Sequence, residues 1–156
     1  MGNPSGQIWP LLVVFPAFVL LGIAISFGIS RLGWRRFADR QTSDVRIPDD
    51  AKAYRFQTIF MGSGMFKNAS YKGCMNFYID RTGLFLRPVW LARLFHPTLY
   101  FAWNSIKAIG TEKVFFSRLT NVEFTGDLPP VTIPGKMGRR IHEAWCNYTN
   151  RPFQPE

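Results

Sequence analysis

The stretch "RLFHPTLYFAWNSI", Arg93 to Ile106, decides how the chain is read. One reading sets His96 as a reactive imidazole beside an aromatic pocket. The other finds a turn, a strand and a core anchor. Local chemistry favours the second. Pro97 pushes His96 towards extended geometry and suits the first position of a strand. "TLYFAW" then alternates, with Leu99, Phe101 and Trp103 on one face and Tyr100 and Ala102 on the other. Trp103 is expected to anchor the core, and Ile106 to continue the packing past the Asn-Ser turn. His96 is left with the tuning of a surface near its ordinary titration range, about pH 6.5.

The same texture extends on both sides. From about Tyr54 to Pro134, short apolar runs are broken by Gly, Asn, Asp and Pro, the spacing of a small all-β domain. "YRFQTIFMG" predicts a strand with Tyr54, Phe56, Thr58 and Phe60 on one face. "YKGCMNFYID" predicts another, with Tyr71, Gly73, Met75, Phe77 and Ile79 on one face. "RTG" after Asp80 supplies a turn into "GLFLRP", and "KAIGTEKVFFSR", "LTNVEFTG" and "LPPVTIP" follow. The period then changes. In "PGKMGRRIHEAWCNYTN", Met137, Ile141 and Trp145 lie four apart with Ala144 and Tyr148 beside them, one apolar stripe on a helix. The fold class expected is mainly β: six or seven antiparallel strands in a partly open barrel, closed by a C-terminal amphipathic helix. Trp103, Ile106, Ile141 and Trp145 are its expected structural core.

This order of elements resembles the pleckstrin-homology-like superfold, including its GRAM and bacterial PH-like groups. The residues that carry the resemblance are "GLFLRP" (Gly83–Pro88), "HPTLYFAWNSIKAI" (His96–Ile109) and the terminal helix with Trp145. The whole chain looks like small single-span bacterial membrane proteins carrying such a domain. The resemblance covers residues 54 to 149. It implies fold more than function, because the superfold hosts lipid binders, peptide binders and scaffolds. Phosphoinositide-binding members carry a basic cluster between their first two strands. Here that loop, "GSGMFKNASYK", has only Lys67 and Lys72, so inositide recognition by that route is not implied.

Ahead of the domain the composition is different. No charged side chain occurs between Met1 and Ser30, and "IWPLLVVFPAFVLLGIAISFGI" (Ile8–Ile29) is 22 residues of nearly unbroken apolar character. At about 1.5 Å per residue a helix of roughly 20 residues spans a bilayer core, so a single transmembrane helix over about 8–29 is expected. The n-region lacks the basic side chains of a signal peptide, and Gly6 stands where myristoylation needs Ser or Thr. Trp9 and Trp34 bracket the span at positions suited to the two interfaces. Arg31, Arg35, Arg36 and Arg40 follow it with no basic side chain before it. The positive-inside rule therefore puts the N-terminus outside and the following domain in the cytoplasm, at the plasma or inner membrane. With Phe37 and Trp34 between them, these arginines also suit a short interfacial helix. The expected organisation is 1–30 with the span, 31–53 as basic juxtamembrane segment and linker, 54–149 as the domain, and 150–156 as a tail.

Little in the sequence points to catalysis. Cys74 and Cys146 are the only cysteines, in no CxxC pair, in keeping with a reducing compartment. The sequons at Asn68 and Asn147 would go unmodified there. His142 and Cys146 share a helical face, but no nearby Asp or Asn would orient the imidazole. Two such residues are too few for a structural zinc. No cofactor, metal or enzymatic activity is expected. From Ala51 onward there are 14 Lys/Arg against 6 Asp/Glu. Nucleic acid is set aside as a partner, because the aromatics alternate within strands as core residues do instead of forming a stacking platform. Two functions remain, ahead of a third and lesser reading as a small enzyme at the membrane. One is a non-enzymatic binding or scaffold module at the membrane, taking a protein segment (or a second copy) on a strand edge or in the groove beside the helix. The other is recognition of anionic lipid headgroups through Arg87, Arg93, Lys136, Arg139 and Arg140.

Overall fold

A computed structural model describes residues 9–29, 34–41, 46–62 and 69–152. Two helices, α1 (Trp9–Ile29) and α2 (Arg35–Gln41), precede seven strands. These are β1 (Lys52–Met61), β2 (Ala69–Ile79), β3 (Gly83–Pro88), β4 (Leu99–Ala102), β5 (Ile106–Val114), β6 (Ser117–Phe124) and β7 (Val131–Pro134). A long helix, α3 (Gly135–Thr149), ends the domain. The strands form one antiparallel sheet in the order β4-β3-β2-β1-β7-β6-β5, curled into a half-barrel. Chain neighbours pair by hairpins within β1–β4 and within β5–β7. Among the described strands the two halves pair only through the short β1–β7 ladder, Phe60 to Thr132 and Met61 to Val131.

The opening stretch folds as its alternation requires. Leu99 and Phe101 are buried, Tyr100 and Ala102 half-buried. Trp103 begins a short 3-10 turn instead of ending the strand. It remains buried, and its indole N–H donates to the Asp80 carbonyl at 3.1 Å. Asp80 also organises the β2–β3 turn, its carboxylate accepting from the N–H of Thr82 and of Gly83, both at 2.8 Å. The predicted turn and the predicted anchor thus hold one another.

α3 packs its stripe of Met137, Ile141 and Trp145 onto β6 and β7. Gly138 makes this approach close: a Cβ there would lie 2.6 Å from the Ile133 carbonyl oxygen and against the Thr120 side chain. In β1 the predicted face is wrong. Phe56 adopts φ 56° and is exposed, and the pairing with β2 shifts register between Tyr54 and Gln57 and again before Ile59. This bulge reverses the alternation, so Ile59 and Met61 enter the core in place of Thr58 and Phe60.

The N-terminal expectations change most. α1 forms where the apolar run predicts a helix, with Pro16 inside it. Every side chain from Val13 to Ile25 is exposed. Among the described residues no helix is long and apolar enough to cross a membrane. The transmembrane helix expected over 8–29 is therefore corrected. The inside–outside assignment drawn from the arginine flank rested on it.

α2 is the short helix expected, but its apolar face turns inward. Trp34, just before it, and Phe37 within it are both 0 % exposed. The Phe37 ring meets Phe101 of β4 and Phe124 of β6 edge-on, at 5.8 and 6.1 Å between centroids. Phe101 and Phe124 themselves stack at 4.6 Å. One phenylalanine from α2 thus closes the gap where the two ends of the curled sheet face each other. Trp34 and Phe37, in the segment expected to be juxtamembrane, belong to the domain core.

Candidate functional site

The two outer strands of the sheet leave its edges, and their surroundings differ. α2 lies against β4. Among the described residues nothing pairs with the outer side of β5. β5 and β6 are joined by a two-residue turn, Phe115-Phe116, with Val114 opposite Ser117. Counting the antiparallel alternation back from that closing pair, Ile109, Thr111 and Lys113 turn their backbone N–H and C=O away from β6. Beside this open edge runs a groove of about 370 Å³, floored by Ile109, Gly110 and Thr111 and walled by His142, Trp145 and Cys146 of α3, with Arg151 and Pro152 at its end.

The lining mixes polar and apolar surface in nearly equal parts. The Trp145 indole N–H is buried with no hydrogen-bond partner among the described residues. A buried indole N–H ordinarily finds an acceptor. The Arg151 guanidinium lies 5.0 Å over the same ring, within cation–π range. α3 ends where Asn150 takes the left-handed conformation, φ 53°, a C-terminal geometry that Asn tolerates. That turn brings Arg151 back over Trp145.

His142 and Cys146 are brought together on the groove wall, as their spacing predicts. Burial pushes the Cys146 thiol up, opposed by Arg151, and pushes the His142 imidazole down, opposed by Glu143. Both shifts favour the neutral forms, the opposite of what a thiolate nucleophile needs. Among the described residues no group of three His, Cys, Asp or Glu could hold a metal ion.

His96 is not a surface group. It is 3 % exposed, with Nε2 3.2 Å from the Tyr71 hydroxyl. Trp34 contacts both rings edge-on at 5.3 and 5.5 Å and donates its indole N–H to the Pro97 carbonyl at 3.0 Å. Burial pushes the His96 pKa down, partly offset by the Ala92 backbone, and burial pushes the Tyr71 phenol far up. This cluster ties α2 to the sheet, with His96 Nδ1 left buried without a hydrogen-bond partner among the described residues.

The cations proposed as a lipid face fall into two groups. Arg87 is on β3 and Arg93 on the 3-10 segment after it, where its Nε donates to the Pro88 carbonyl at 3.2 Å. Lys136, Arg139 and Arg140 are on α3, which packs at β7, three strands along the sheet from β3. Arg139 pairs with Glu143 at 2.9 Å, and Arg140 sits 4.6 Å over the Tyr54 ring. Of the residues assigned to a membrane interface, Trp34 is in the core, while Arg35, Arg36 and Arg40 are exposed on α2. Arg31 and the Trp9 side chain lie outside the described residues, as do Lys67 and Asn68. Trp103, Ile106, Ile141 and Trp145 are all buried as expected.

A second cleft of about 540 Å³ lies on the other flank of α3, bordered by Lys52, Asp80, Arg81, Trp103, Asn147 and Tyr148. Its charges are mixed, and the Asp80 carboxylate is already committed to the β2–β3 turn. The groove along β5 combines a mixed polar and apolar wall with a main-chain edge and an indole donor that have no partner among the described residues. Residues 109–111 and Arg151 carry no motif in the sequence, so only the topology brings them forward. Comparison with known proteins gives no family: no family model matches the chain, and no curated protein matches it.

Proposed function

We propose that this protein is a non-enzymatic binding module that takes an extended segment of a protein partner as an added strand on β5. The observation that carries this is the unpaired outer edge of β5 running along the groove under α3. Main-chain bonds at Ile109 and Thr111 would supply affinity, and alternate side chains of the guest would enter the groove. A carbonyl or side-chain oxygen of the guest would accept from the Trp145 indole. Lys107, Lys113 and Arg151 bring positive charge to both ends of the edge, so segments with acidic side chains are favoured. The pleckstrin-homology-like reading is part of this proposal. The seven-stranded antiparallel half-barrel with its C-terminal helix supports it.

The test is selection of displayed random peptides on the full chain, followed by Thr111→Pro. Proline removes one outward N–H and leaves the β5–β6 ladder intact. Affinity of the selected peptides should fall by about tenfold, the worth of one or two main-chain hydrogen bonds. Peptides that bind Thr111→Pro as tightly as the parent would overturn the proposal.

A further inference from the structure

The turn that joins β5 to β6 contains neither Gly, Asn nor Asp, although a two-residue hairpin turn with a positive φ at its first central position is normally built with glycine. Phe115 occupies that position at φ 51°. For a bulky side chain this is a genuine outlier, and such outliers concentrate at functional sites. Among the described residues nothing packs over it. Phe115 and Phe116 are 89 % and 103 % exposed, the two most exposed large apolar side chains among the described residues.

A second conflict lies one residue back. Lys113 and Arg118 are direct cross-strand partners. Like charges in that position repel, and no carboxylate pairs with either among the described residues. The hairpin end therefore combines two solvated phenyl rings with an unrelieved pair of cations, and both features cost the isolated fold. An anionic bilayer surface relieves both at once. Aromatic rings partition into the boundary between headgroups and acyl chains, and each nearby cation gains from the surface potential.

We infer that the β5–β6 hairpin tip is a wedge that seats in an anionic lipid surface, with Phe115 and Phe116 entering the interface while Lys113 and Arg118 pair with headgroup phosphates. The wedge adjoins the β5 edge, sharing Lys113 with it, and is a different surface from the cations of α3. A docked module would hold its β5 groove close to the lipid, where a membrane-associated partner segment could reach it.

The test uses the full chain with Phe116→4-cyanophenylalanine, whose nitrile infrared band moves to lower wavenumber on leaving water. The probe keeps the ring and leaves both cysteines untouched. On phosphatidylcholine vesicles containing phosphatidylserine the band should move to its apolar position, and on phosphatidylcholine alone it should move far less. Adding Lys113→Gln and Arg118→Gln should weaken the partitioning that produces the shift about thirtyfold. Phe115→Asn, which tolerates the left-handed backbone, should weaken it without loss of near-ultraviolet dichroism. Three outcomes would overturn the inference: a water-like band while the chain co-sediments with anionic vesicles, an equal shift on both vesicle types, or no vesicle binding at all. Thr111→Pro should leave the band unchanged, so failure of the wedge and failure of the groove are read separately.

Discussion

The two edges of the sheet solve the same problem in opposite ways. An exposed strand edge presents a row of unpaired donors and acceptors, and proteins ordinarily shorten, charge or cover it. β4 is four residues long and lies against α2, with Phe37 across Phe101 and Trp34 wedged between Tyr71 and His96. β5 is nine residues long, and no described element covers it. Among the described residues its protection is charge, at Lys107, Glu112 and Lys113, and an irregular register between Ile106 and Ala108. A chain that commits two fully buried aromatics to its short edge has the means to close its long one. The difference supports the proposal that β5 is a docking edge, and each prediction below tests the contrast.

The largest effect belongs to the covered edge. Trp34→Ala removes a wholly buried ring, its N–H bond to Pro97 and two edge-on aromatic contacts. Chemical denaturation should show a loss of about 3–5 kcal/mol, with amide protection lost first from β4. A loss below about 1 kcal/mol would mean that α2 is not a cover. Gly83→Ala acts on the same edge from the β3 side. A Cβ there would sit 2.8 Å from Tyr100 Cε2, 3.0 Å from Ala102 Cα and against the Phe101 carbonyl. Pushing β4 outward should cost about 1–3 kcal/mol, measured in the same way.

The pH response also localises to this side. His96 is held neutral, with its folded pKa below the usual histidine value because burial opposes charging. A depressed folded pKa means the unfolded chain binds the proton first. The contribution is therefore fully present above about pH 6.5 and is lost as pH falls below that towards the folded pKa. Tyr71 is shifted upwards by burial, so its contribution is present at neutral pH and declines above about pH 10. His142 is depressed in the same sense as His96 and shares the acidic window. His96→Gln should thus lower stability at pH 7.5 by about 1–2 kcal/mol through imperfect replacement of the Tyr71 contact. It should also flatten the decline between pH 6.5 and 5, leaving the share of His142. An unchanged acid slope would place the titration elsewhere.

The sequence made the strands and the C-terminal helix legible because burial there follows a plain period: Tyr71, Met75 and Phe77 at two, Met137, Ile141 and Trp145 at four. It misled where one residue breaks the period. Phe56 looked like a core position, and only a bulge with a left-handed backbone puts it outside. Trp34 looked interfacial because it follows an apolar run and stands among arginines. Its true partners are Tyr71, His96 and Pro97, between 37 and 63 residues away, and no local pattern encodes contacts of that range. The groove was legible only as a kind of place, a strand edge beside a helix. Which edge stays open depends on where α2 docks, and that was hidden in the misread segment. The Phe115-Phe116 tip went unseen because no turn residue marks it.

The smallest expected effect is the sharpest test of the open edge. Thr111 lies at a position whose N–H points away from β6, and Glu112 at one whose N–H belongs to the β5–β6 ladder. Proline should discriminate between them. Thr111→Pro gives up a bond made only to water and should change stability by about 1 kcal/mol or less. Glu112→Pro breaks a ladder bond one residue along and should cost about 3 kcal/mol or more. The neighbouring positions have the same sequence context and a similar surface location, so strand propensity alone cannot separate them. Only the presence of a partner on one side of β5 and of solvent on the other can. Equal costs at 111 and 112, read from denaturation midpoints, would mean that the outer side of β5 is occupied in the free protein. The comparison between the two edges would then fail at its premise.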